Sequence, residues 1–141
     1  MNTKRLLIAV AAAFAFVFVT DFLIHGVWLR PDYAASHSLW RPDPEMESHI
    51  PWMMAGQFLA AASFVILWAI GCAERGTVGG ACLYGLLMGL FFQADTLILY
   101  AVMPLPPELA AKWFVSGLIQ TVLLGVVTKF VYKPNPRTGA A

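Results

Sequence analysis

The sequence predicts an all-α integral membrane protein folded as a four-helix bundle, and three observations carry that expectation. Of 141 residues, 60% are hydrophobic and only 12% are charged, against about 25% charged in ordinary soluble domains. Four stretches are apolar enough and long enough to cross a hydrocarbon core ~30 Å thick as helices. Backbone groups in lipid must find their hydrogen bonds inside the segment, which leaves helices as the spanning form at this hydropathy.

The first span runs from Leu6 to Leu29 behind a basic flank, Lys4 and Arg5. As a helix it is roughly 36 Å long at 1.5 Å per residue. Small residues near Ala13 to Ala15 would suit a signal-peptidase site, but the apolar run continues to Leu29 and an uncleaved span is expected. Its only ionisable groups are Asp21 and His25. A spacing of four puts them on one helix face, a single polar stripe that needs a partner.

The connection 30–51 begins Pro31-Asp32, as helix first turns often do. It predicts a short interfacial helix ending before Arg41-Pro42, with Tyr33 and Trp40 on one face to rest on headgroups or cap the bundle. Pro42-Asp43-Pro44 predicts an extended turn. Glu45 and His49, four apart with Asp43 nearby, are the weak metal candidates; a solvated acidic loop is the competing expectation.

The second span, 52–72, has no charge, and glycines 76, 79 and 80 loosen the short link after it. The third, 81–103, holds only Asp95, and the fourth, 113–132, only Lys129, before a polar tail, 133–141. The whole chain, 1–141, is expected to be one membrane domain. Ala81-x-x-x-Gly85-x-x-x-Gly89 and Gly117-x-x-x-Thr121-x-x-x-Gly125 put small residues at every fourth place. Such rows let two backbones approach, either the third span against the fourth or one copy against another.

Basic residues set the expected orientation. Lys4, Arg5, Arg75, Lys129, Lys133 and Arg137 fall on one side, and Arg30, Arg41 and Lys112 on the other. By the positive-inside tendency both termini are cytoplasmic. The net charge of +1 comes without any stripe of basic and aromatic residues, which excludes nucleic acid as the expected partner. Cys72 and Cys82 are not a Cys-x-x-Cys pair, and no P-loop, nucleophile elbow or His-Glu-x-x-His is present. Soluble-substrate enzymology has no visible machinery, and no cofactor is expected.

The two halves echo one another. Phe18 to Ile24 aligns with Phe92 to Ile98, matching Phe, Asp, Leu and Ile, and Trp52-x-x-x-Gly56 matches Trp113-x-x-x-Gly117. Two helices per unit would make a parallel 2+2 repeat. Asp21 lies eight residues before Leu29 and Asp95 eight before Met103, so each sits roughly 12 Å below its helix end. With Gln57 and Gln120 at a similar level, the expected polar layer is Asp21, His25, Gln57, Asp95 and Gln120. Two carboxylates sharing a low-dielectric site would suit proton or cation binding, with His25 sharing the proton or ligating a metal. The plainer alternative is a structural clasp, Asp21 paired with His25 or hydrogen-bonded to Gln57, without chemistry.

His25-Gly26-Val27-Trp28-Leu29 closing the first span, Trp40-Arg41-Pro42 in the aromatic loop and Val131-Tyr132-Lys133-Pro134 after the last span resemble four-span bacterial membrane proteins of domain-of-unknown-function type. The resemblance implies a bacterial cytoplasmic membrane and brings no activity or catalytic residue. The functional expectation is a multi-pass protein binding or transporting a proton, cation or small polar ligand at the intramembrane layer. The alternative is a non-catalytic accessory or assembly subunit of a larger membrane complex. Its expected partners are the lipid bilayer and either a second copy or other subunits.

Overall fold

The computed structural model describes residues 2–73 and 76–134. The described residues are helical with no strand, and four helices are long and apolar enough to span a membrane. Helix α1 covers Thr3–Asp21 and continues as a π-helical stretch, Phe22–Trp28. A short α2, Arg30–Ala35, and one 3-10 turn, His37–Leu39, follow. The remaining spans are α3, Asp43–Gly71, α4, Val78–Val102, and α5, Pro107–Val131.

Local chemistry explains three of the helix starts. The Asn2 side chain accepts from the Arg5 N–H at the start of α1, and the Thr77 hydroxyl accepts from the Gly80 N–H at the start of α4. Helix α3 begins nine residues earlier than the span expected at Trp52. Pro44 occupies its first turn, where a missing N–H is harmless, and Asp43 and Glu45 face the positive end of the helix dipole. Pro51 lies inside the helix and does not end it. The extended turn and loop expected over 42–51 are therefore one exposed extension of the helix.

The close pairs are α4 with α5, α1 with α3, and α1 with α5. Small residues cause the first. A methyl on Gly85 would overlap the Thr121 carbonyl, one on Gly125 the Ala81 carbonyl, and one on Gly89 the Thr121 hydroxyl. The expected rows thus meet within one chain. Ala9 and Ala13 play the same part for α1, where Phe64, Val65 and Trp68 of α3 are fully buried.

Helix α3 meets α4 mainly through one aromatic side chain. Tyr84 sets its ring edge-on to Phe64 and Trp68 at centroid distances of 4.8 and 5.4 Å, and its hydroxyl donates to the Phe64 carbonyl at 2.6 Å. The start of α1 and the residues after α5 share one end of the molecule, where the Arg5 guanidinium donates to the Lys133 carbonyl at 3.4 Å. We call this the terminal end, and the opposite one the loop end.

At the loop end α2 is fastened onto α5. Lys112 donates to Asp32 at 2.6 Å and the Trp113 indole donates to the Tyr33 hydroxyl at 2.9 Å. Trp40 packs on both rings, 5.3 Å from Tyr33 and 5.9 Å from Trp113, and donates to the buried Ser36 hydroxyl. Of the two expected roles for Tyr33 and Trp40, the aromatic face is used to cap the helices.

Candidate polar site between the helices

Asp21 ends the regular part of α1 and is held from two sides. Gln57 of α3 donates to Oδ2 at 2.6 Å and Gln120 of α5 donates to Oδ1 at 2.6 Å. The second hydrogen of the Gln120 amide goes to the Thr20 hydroxyl, also 2.6 Å away. That hydroxyl in turn donates to the Phe16 carbonyl, one helical turn back. Three helices therefore converge on a single carboxylate.

This group forms part of the wall of a cavity of about 290 Å³. Apolar residues, among them Val17, Phe64, Phe92 and Leu124, complete it, and Gln93 and Thr121 add polar atoms. Gln93 escaped the sequence reading. It extends the small-residue row by one step, Ala81, Gly85, Gly89, Gln93, and that spacing was the available signal. Its amide oxygen accepts from Thr96 at 2.7 Å, and its nitrogen lies over Gly117 where any Cβ would displace it.

Two buried side-chain polar atoms lack a partner among the described residues, Gln57 Oε1 and Thr128 Oγ1. Of their residues only Gln57 lines this cavity. An amide oxygen sealed from water without a donor costs about 1–3 kcal/mol. Gln57 thus presents an unfilled acceptor beside a carboxylate that already takes two donors.

Two members of the expected layer lie elsewhere. His25 falls in the π-helical stretch, where the Leu29 N–H reaches back five residues to Ile24 at 2.8 Å. This wider turn rotates side chains away from the α-helical progression. The imidazole Nδ1 meets the Tyr33 hydroxyl at 2.6 Å, with Trp113 6.3 Å away ring to ring. An indole can only donate, so the arrangement that uses every hydrogen runs from Trp113 to Tyr33 to His25 Nδ1 and leaves the imidazole proton on Nε2. Burial pushes the Tyr33 phenol up to about 12, with Asp32 and Asp21 adding negative charge and the Trp113 N–H opposing.

Asp95 is exposed and has no hydrogen bond or ion pair among the described residues. The expected meeting with Asp21 is not made, and Gln120 serves Asp21 instead of the acid that a two-fold repeat would assign it. Depth along a helix is fixed by sequence; azimuth is fixed by packing. Residues 84, 88, 91 and 95 follow at three- and four-residue steps and share a face. At Tyr84 that face touches α3, whereas further toward the loop end Gly56 of α3 meets only open space. The two helices part there.

The weak metal pair is also otherwise engaged. Glu45 pairs with Arg41, and His49 Nδ1 lies 2.8 Å from the Glu45 carbonyl. Among the described residues no three His, Cys, Asp or Glu side chains gather as a metal site. Comparison with protein-family models, curated proteins and solved structures finds no match to this chain.

Proposed function

We propose that this is a multi-pass membrane protein whose cavity binds a small ligand rich in hydrogen-bond donors, such as an ammonium or guanidinium compound. The observation that carries the reading is Asp21 in the wall of a space of about 290 Å³ that Gln57 and Gln120 also line, with Gln57 Oε1 buried and unpartnered among the described residues. A carboxylate and an amide oxygen together favour a cation over an anion or a neutral acceptor. Apolar walls strengthen that attraction by excluding water. His25 is left out of the binding group, and transport would require the ligand to pass the aromatic cap or the gap between α3 and α4.

Both chain ends are read as cytoplasmic, from the six-to-three division of Lys and Arg. A bacterial inner membrane is the proposed location. The test is titration of the protein in lipid nanodiscs with methylammonium and guanidinium against neutral isosteres, followed by calorimetry. Saturable binding of the cations alone, lost in Asp21→Asn, is expected. No heat from any of them, with Asp21→Asn merely unfolding earlier, would leave only the clasp.

A second reading has its own support in Asp95. An exposed carboxylate on a spanning helix is costly in lipid and normally faces a polar partner. This favours a subunit that meets another membrane protein, or a second copy of itself, along α4. Mild solubilisation and pull-down would recover that partner in fixed ratio, and Asp95→Leu would release it.

A further inference from the structure

A second cavity, about 360 Å³, opens at the terminal end between the end of α3 and the end of α5. Trp68, Lys129, Tyr132 and Lys133 line it. The bond from Arg5 to the Lys133 carbonyl brings a third cation to the same end.

Charge pairing divides the molecule sharply. Both ion pairs among the described residues lie at the loop end, Arg41 with Glu45 and Lys112 with Asp32. The terminal end carries Lys4, Arg5, Lys129 and Lys133 and, among the described residues, no carboxylate. Glu74 and Arg75 fall between Ala73 and Gly76, outside the described residues, and their formal charges cancel. Lys129 rests 4.4 Å above the Phe130 ring rather than on an acid. A lysine there, on the last turn of a spanning helix, extends its ammonium toward the headgroup layer.

We infer that this cavity holds the phosphate of an anionic phospholipid, with Lys129 and Lys133 as the groups that bind it. Cations unpaired among the described residues supply the charge, and the buried rings of Trp68 and Tyr132 give the cavity an apolar wall. Exposed Phe130 continues the wall toward the acyl chains. Basic pockets between spanning helices recognise anionic headgroups by this combination. The inference is independent of what the central cavity binds.

Native mass spectrometry of the full chain, released from micelles containing equal phosphatidylglycerol and phosphatidylcholine, tests it. The protein is expected to retain phosphatidylglycerol in preference. The double variant Lys129→Gln, Lys133→Gln should retain it about 25-fold less, from a factor of about five for each lysine beside an anionic surface. Lys112→Gln, at the other end, should retain it as the parent does. The doubly Arg-substituted chain keeps the charges and should keep the lipid, which separates lost binding from lost folding. Equal retention of both lipids by the parent chain would overturn the assignment. So would displacement of the lipid by an equal concentration of inorganic phosphate.

Discussion

Asp21 takes a side-chain amide on each carboxylate oxygen, one from α3 and one from α5, whereas Asp95 of α4 stands exposed with no polar partner among the described residues. The two acids occupy matching positions, each eight residues from the expected end of its span. What separates them is the neighbourhood. Helix α1 lies against two helices that each bring a glutamine to its level, and α4 spends its close contact on the backbone of α5. The row Ala81, Gly85, Gly89 and Gln93 faces α5, and Asp95 lies off that row, so the acid falls to the side. An intramembrane acid is thus a site or a liability according to how the helices are fastened, with its depth the same in both cases.

Substitutions break the comparison in decreasing order of effect. Asp21→Ala deprives two amides of their acceptor and should lower stability by about 3–6 kcal/mol, from hydrogen bonds to a charged group worth about 1.5–3 kcal/mol each. Thermal unfolding in nanodiscs reads this directly, and Asp95→Ala should show no such loss. Asp95→Leu should favour membrane insertion of α4 by about 3 kcal/mol, the penalty on a charged residue near a helix centre. A glycosylation-based insertion assay measures it; a fall in folded-state stability in the same variant would mean that Asp95 has a partner.

Smaller effects sharpen the picture of the clasp. Gln120→Leu removes an amide that serves both Asp21 and Thr20 and should cost about 1–2 kcal/mol. Gln57→Leu removes one bond and also an unfilled buried oxygen, so it should cost less. Reversal of that order would show that Gln57 Oε1 is satisfied in the membrane. The smallest effect concerns Tyr33, whose phenol is held neutral up to about 12. Stability from the neutral form is complete below the unfolded value of about 10 and fades as pH climbs from there toward 12. Tyrosinate absorbance follows the transition. Asp21→Asn should lower its midpoint slightly, because the Asp21 charge contributes to the shift, and Asp95→Asn should leave it alone.

The spans were legible because apolar length alone announces them, and the close α4–α5 contact was one of the two uses that small residues at every fourth place allow. The start of α3 was not. Pro51 resembles a boundary, yet neighbouring polar residues and water at the loop end let a helix run through it. Inward faces were hardest to read. Lipid is as apolar as the helix interface, so a spanning helix shows little contrast between its two sides. Asp21 with Gln57 was found because the acid demands a donor at its own depth. Asp95 was misplaced by the same logic, since nothing in the residues around it tells which neighbour α4 turns toward. The resemblance between the halves compounded the error by implying a symmetry that the contacts lack.

The thin join between α3 and α4 has a mechanical consequence. Glycines seat α4 on α5 and α1 packs against both α3 and α5, so parting α3 from α4 alone disturbs little beyond the Tyr84 hydroxyl on the Phe64 carbonyl and the rings stacked around it. With α1 holding both partners, the seam between α3 and α4 is the least fastened side of the bundle. Tyr84→Phe would loosen the catch without emptying the joint.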